Sequence, residues 1–129
     1  MNKLLLDTHT FLWMDLESNQ LLSRAKSLLQ ERSNRLLVSV VSIWEIVIKL
    51  QLGKLKLQYS LTELIESQKQ INHIDILPIT LDHVLALPKL PNHHKDPFDR
   101  LLIAQAIVEQ AALISNDALL AKYSVEVIW

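Results

Sequence analysis

Cysteine is absent from the 129 residues, which excludes disulfides, thiolate zinc sites and thiol nucleophiles together and accords with a reducing compartment, so the cytosol is the default expectation. Glycine occurs once, as Gly53. Gly-rich turns that cradle phosphates in nucleotide and dinucleotide sites cannot be built from a single glycine, so no nucleotide cofactor is expected. The four prolines are Pro78, Pro88, Pro91 and Pro97, and only the stretch from Pro88 to Pro97 reads as an extended loop. No Ser-, Gly- or charge-rich linker, repeat or low-complexity tract divides the chain, half of which is hydrophobic; that length suffices for one core and predicts a single domain over residues 1–129. Excess charge is missing too: the formal net charge is −1 and the pI about 6.5, without the basic footprint of a protein that coats nucleic acid. The N-terminal MNKLLLDTHT lacks the apolar length and cleavage site of a signal peptide. The most apolar stretch, Leu36 to Leu52, is interrupted by Glu45 and Lys49 and falls short of the roughly 20 apolar residues that span a bilayer. It reads as buried core, and no membrane association is expected.

What is present is an alternation of short and long apolar stretches. Leu4–Leu6, Leu36–Val40, Ile74–Ile79, Ala112–Ser115 and Val125–Trp129 predict strands. Apolar spacing with Ser or Asp starts predicts helices over Thr8–Leu16, Ser23–Arg32, Ser42–Leu52, Ser60–Ile71, Leu81–Leu87 and Asp96–Gln110, with a short one after Asp117. Such alternation predicts an α/β fold, a parallel sheet covered by helices on both faces. Strand C-termini and helix N-termini then share one edge, where sites on open α/β sheets lie.

Asp7 directly follows the first predicted strand, and Asp117 follows the fourth with Asn116 between. Glu45 and Asp99 fall in the first turns of predicted helices. Acids more than 100 positions apart thus converge on that edge. Each has a structural explanation when taken singly. Acids in first helical turns are stabilised by the helix dipole, and Asp is a common N-cap. Ser42-x-x-Glu45 matches a capping box, Glu45 and Lys49 form an i,i+4 pair, and Asp96-Pro97-Phe98-Asp99 reads as N-cap, N1 proline and N3 acid. Asp99, however, shares a helix face with Leu102, Ile103 and Ala106, so its carboxylate is not freely solvated. A cluster of such acids needs cations, and oxygen-only ligands select hard ions such as Mg²⁺ or Mn²⁺.

At these residues the sequence resembles the PIN-domain family, in particular the VapC-type toxin ribonucleases of prokaryotic toxin–antitoxin pairs. The resemblance runs the whole chain, through LLLDTHTFLW (Leu4 to Trp13), VSVVSIWEIVIKLQLGKL (Val38 to Leu55), HKDPFDRLLIAQA (His94 to Ala106) and LISNDALLAKY (Leu113 to Tyr123). It implies a three-layer α/β/α sandwich with a parallel sheet of about five strands and a Mg²⁺- or Mn²⁺-dependent endoribonuclease that hydrolyses RNA phosphodiester bonds. Carried over by position, the family's acidic quartet falls on Asp7, Glu45, Asp99 and Asp117, with Asp96 as an additional acid and Ser115 where the family often has Thr or Ser. The resemblance also implies a VapB-type antitoxin, seated in a groove between the segments Thr8–Arg32 and Ser42–Leu52, and a homodimer.

Other residues carry weaker signals. Ser115 can bond a phosphate, a carboxylate or the backbone. His93 and His94 lack the spacing of metal ligands and read as loop residues. His9 either lines the edge or is satisfied at the helix start. Lys49, Lys54, Lys56, Lys95 and Arg100 are candidate phosphate contacts, Arg100 foremost because it follows Asp99. Trp13, Trp44 and Trp129 lie in apolar surroundings and predict core or interface rather than base-stacking positions. A haloacid-dehalogenase-type phosphatase would want a second aspartate where His9 stands, and a receiver domain would want an aspartate–lysine pair that is not found. A non-catalytic interaction module of the same fold and a housekeeping RNA-processing nuclease remain as alternatives, the former predicting that the acids are merely caps.

Overall fold

The computed structural model describes residues 2–16, 23–92 and 96–129; His93, His94 and Lys95 therefore lie outside the described residues. Five strands, β1 (Lys3–Leu6), β2 (Arg35–Ser39), β3 (Asp75–Leu77), β4 (Ala112–Ile114) and β5 (Val127–Ile128), form one sheet in the order β3-β2-β1-β4-β5. Every pairing is parallel, and central Leu5 stands level with Leu37 on one side and Leu113 on the other. Parallel strands buried on both faces need continuous apolar runs, and Leu4, Leu5 and Leu6 are each exposed by 1% or less.

The helices are α1 (Thr8–Leu16), α2 (Ser23–Gln30), α3 (Val40–Gln51), α4 (Leu61–Ile71), α5 (Leu81–Ala86) and α6 (Pro97–Glu109). Strand side chains alternate between faces, so Leu4, Leu6, Leu36 and Val38 meet Phe11 of α1, Leu29 of α2, Ile46 of α3 and Leu64 of α4 in one core. Leu5, Leu37 and Leu113 point the other way, onto Leu102, Ile103 and Ala106 of α6. This is the three-layer sandwich. Burying each of these leucines is worth about 1.5–3 kcal/mol. Among the described residues no helix is long and apolar enough to cross a membrane.

Boundaries differ from the sequence expectations where local chemistry overrides pattern. The second strand stops at Ser39, and α3 starts at Val40 rather than Ser42. Ser39 takes the N-cap position and accepts a hydrogen bond from the Val41 N–H at 3.0 Å. The expected Ser42–Glu45 capping box is therefore not formed; Ser42 is buried inside the helix. Glu45 lies beyond the first turn, which contains no acid. The third and fifth strands are shorter than expected, and the helix after Asp117 is a 3-10 helix, Ala118–Lys122. The single glycine terminates α3: Gly53 has φ +73°, with Gly53 N–H bonded to Leu50 O at 3.2 Å and Lys54 N–H to Lys49 O at 2.9 Å, the reciprocal pair of a Schellman cap.

Candidate active site

The strand C-termini and the helix N-termini meet along one edge, and a cleft of 480 Å³ opens there, lined by Asp7, Glu45, Asp96, Asp99 and Asp117 with Thr8, His9, Lys49, Asn116 and Leu120. All four acids of the predicted quartet, and the additional Asp96, thus share one cavity.

Asp7 ends β1 and caps α1. Its Oδ1 accepts from the Thr10 N–H at 2.8 Å, while its own N–H donates to Ile114 O at 3.1 Å, tying the acid to the end of β4. The residue is 7% exposed. Asp96 caps α6, its Oδ1 accepting from Phe98 N–H at 2.8 Å and Asp99 N–H at 3.3 Å, with Pro97 at the first helical position. Asp99 is in the first turn of the same helix. Asp117 caps the 3-10 helix through Leu119 N–H at 3.0 Å, and its own N–H donates to Ser115 Oγ at 3.1 Å. Ser115 therefore orders the backbone that presents Asp117, the backbone-bonded alternative of the sequence reading. Helix N-termini carry partial positive charge, so caps on the two α-helices and the 3-10 helix offset repulsion within the acid cluster.

Glu45 is held differently. The Thr8 hydroxyl donates to Glu45 Oε1 at 2.5 Å, and Lys49 Nζ lies 3.5 Å from Oε2. A buried hydroxyl next to Asp7 and a cation one turn along α3 thus fix both oxygens of a carboxylate that is 17% exposed at its side chain. Thr8 was not singled out in the sequence; its only signal was adjacency to the strand-end aspartate. Capping does not exhaust a carboxylate, which offers about four lone-pair sites.

Apart from His9 and Lys49, which line the cleft, the other described sequence candidates fall elsewhere. The Arg100 guanidinium donates to Pro91 O at 3.0 Å and Leu87 O at 3.3 Å, and Arg100 is not among the cleft-lining residues. It ties the loop after α5 to α6. Lys54 and Lys56 are exposed and outside the cleft lining. His9 is exposed, lines the cleft and stacks on Trp13 at 5.6 Å between ring centroids. Trp13 and Trp129 pack against the core and each other at 5.5 Å, as expected. Trp44 is not in the core, which leaves the interface half of the expectation: it is 55% exposed and meets Phe98 edge to face at 5.0 Å.

Among the described residues, no three His, Asp or Glu side chains close on one point tightly enough to hold an ion by themselves. The donors are nevertheless all carboxylate oxygens on one cleft, which fits Mg²⁺ or Mn²⁺. Mg²⁺ is usually held by one or two carboxylates, with retained waters and substrate phosphates completing its shell.

A PIN domain family model matches residues 4–126. The fold is similar to a chain of VapBC2 from Rickettsia felis, solved bound to a DNA fragment from their promoter, with a TM-score of 0.69 and 14% identity over 98% of this chain and 97% of that one. It is similar also to a chain of VapBC-1 from nontypeable Haemophilus influenzae, with a TM-score of 0.62 and 17% identity over 98% and 96% of the two chains. No curated protein sequence matches it.

Proposed function

Since this chain belongs to the PIN domain family, we propose that it is a metal-dependent endoribonuclease, a single PIN-like domain acting in the cytoplasm as the toxin of a VapBC-type pair. The observation that carries the reading is the convergence of Asp7, Glu45, Asp99 and Asp117 on one cleft. Asp7, Asp99 and Asp117 would hold Mg²⁺ or Mn²⁺, with Asp96 beside them. Bound there, a divalent cation polarises a phosphate and makes a coordinated water more acidic.

The chain's own groups do the rest. Glu45, immobilised between Thr8 and Lys49, accepts a hydrogen bond from the attacking water and aligns it with phosphorus. The water oxygen bonds to phosphorus as the opposite phosphorus–oxygen bond breaks; the proton the water loses passes to the Glu45 carboxylate and on to solvent, and the leaving oxygen takes up a proton from solvent. Lys49, the one Lys or Arg in the cleft lining among the described residues, partly offsets the charge of an incoming phosphate.

The partner in this reading is a VapB-type antitoxin, a reading supported by the similarity of the fold to chains of VapBC2 and VapBC-1. A groove of 490 Å³ is available, lined by Met14 of α1, Leu29 of α2, Leu36 of β2 and Ile71 of α4. Its lining draws on α4 where the sequence pointed to α3. A homodimer also belongs to the proposal.

A non-catalytic module is the reading favoured by the capping bonds of Asp7, Asp96 and Asp117. One experiment separates the two: incubation of a cellular RNA pool with the purified chain in Mg²⁺, Mn²⁺ or EDTA, beside Asp99→Asn. Metal-dependent cutting that Asp99→Asn abolishes while retaining its circular dichroism spectrum supports the nuclease. Equal cutting by the folded variant sinks the site assignment, and no cutting by antitoxin-free protein favours the module.

A further inference from the structure

Trp44 and Phe98 stand immediately before Glu45 and Asp99, two of the cleft acids, on the two helices α3 and α6 that frame the cleft. Their rings meet at 5.0 Å with an interplanar angle of 72°. Phe98 is half-buried and anchored against the core that contains Leu102 and Ile103, whereas Trp44 is 55% exposed. Beside that edge-to-face contact more than half of the Trp44 surface stays exposed, which leaves apolar indole surface open to solvent. Leaving so large an aromatic surface in water forfeits burial energy that the core would otherwise supply. An aromatic held on a rigid helix by a second ring, next to a phosphate-binding cleft, is the arrangement that receives an unstacked nucleobase.

We propose that Trp44, backed by Phe98, is a stacking platform for one unpaired base next to the scissile phosphate. The inference rests on the nuclease reading of the acid cleft. Base pairing and stacking within a duplex would hide the base face, so a double-stranded substrate is disfavoured. Stacking is tolerant of base identity, so the platform selects strandedness and register more than sequence. Lys49, lining the cleft from the same helix, supplies a cation for the phosphate while Trp44 takes the base.

The test uses the intact chain with an unstructured oligoribonucleotide and the same oligonucleotide annealed to its complement. Binding is read in EDTA by the fluorescence anisotropy of the labelled oligonucleotide for every variant, and by quenching of tryptophan fluorescence for the parent; cleavage is read in Mg²⁺ or Mn²⁺. Single-stranded RNA is expected to quench the parent protein and the duplex to bind more weakly. Trp44→Leu should weaken binding, and raise KM, by between roughly 5- and 100-fold, with kcat little changed. Trp44→Tyr, which keeps a stacking face, should recover most of the affinity and of the KM. Cleavage by Trp44→Leu with unchanged KM and binding overturns the platform and leaves the nuclease standing. RNA binding that Trp44→Leu weakens, with no cutting by the parent in either metal, overturns the nuclease and leaves the base-binding surface. A change in sedimentation of Trp44→Leu with unaltered RNA affinity would make the aromatic pair an interface between copies and overturn the proposal, as would a loss of RNA affinity in Trp44→Leu that Trp44→Tyr fails to recover.

Discussion

A carboxylate can cap a helix and serve chemistry at once, and the cleft residues differ in how separable the two roles are. The Asp7 cap needs only an acceptor at Oδ1 for the Thr10 N–H, and Asn caps about as well as Asp. Asp7→Asn should therefore keep the melting temperature within a few degrees while removing cleavage; a variant that unfolds cooperatively at the parent temperature and still cuts RNA would reduce Asp7 to a cap. The Thr8 hydroxyl positions Glu45. Thr8→Val is isosteric but removes the donor to Glu45 Oε1, and loss of a hydrogen bond to a charged group predicts about a tenfold fall in kcat with KM nearly unchanged. Thr8→Ser should restore the rate. If Ser and Val variants fall equally, Thr8 matters by packing alone. At this scale the sequence was partly legible. Asp7 and Asp117 announced themselves because an apolar run stopped at them. The direction of Arg100 was not legible, since it depends on the carbonyls of Leu87 and Pro91, contributed by a loop on the far side of the helix start. The exposure of Trp44 was hidden by the apolar residues around it in sequence, whose side chains point elsewhere once α3 is wound.

Among the described residues three helices are followed by a left-handed residue, Gly53, His73 and Gln110, and the first and last are of opposite suitability. Gly53 closes α3 at φ +73°, where an added Cβ would meet nothing within 4 Å. Any cost of substitution is therefore conformational, and Gly53→Ala is expected to lower stability by about 1 kcal/mol. Gln110 closes α6 at φ +55°, ψ +44°, a conformation that glycine adopts without the Cβ penalty, so Gln110→Gly should be neutral to stabilising by up to about 1 kcal/mol despite the added unfolded-state entropy. Urea titration of both variants checks the signs; a stabilised Gly53→Ala would contradict the backbone assignment. Helix and strand existence was readable from apolar spacing, but the start of α3 was not: Val40 and Val41 are β-branched and extended the strand pattern, while buried Ser39 supplied the cap. The tie between α5 and α6 was also unreadable. His83, wholly buried, sits 2.9 Å from Glu109 and 3.3 Å from Gln105, and its Nδ1 accepts from Thr80 N–H, partners that no local pattern connects.

For the whole molecule, the parallel topology does the functional work. With β1 central and β2 and β4 beside it, the three strand ends deliver Asp7, the α3 start and the Asp117 turn to one edge, and α6 adds Asp96 and Asp99 because it leads into β4 and starts at that same edge. The charge of the whole then limits how RNA is held. The net charge is −1, and Lys49 is the one Lys or Arg lining the cleft among the described residues, itself paired with Glu45. Few counterions are released from RNA by such a surface, so base stacking and bound divalent cations must carry most of the affinity. Each phosphate neutralised on a single strand contributes about −0.7 to the slope of log affinity against log salt. With one lysine engaged, a slope no steeper than about −1 is expected in potassium chloride at fixed Mg²⁺. Arg100→Gln, whose side chain serves the loop carbonyls, should leave that slope unaltered, and Lys49→Gln should bring it toward zero. A slope of about −3 or steeper would show that RNA runs well beyond the cleft onto exposed lysines such as Lys54 and Lys56, and the binding surface would then have to extend along the C-terminal end of α3.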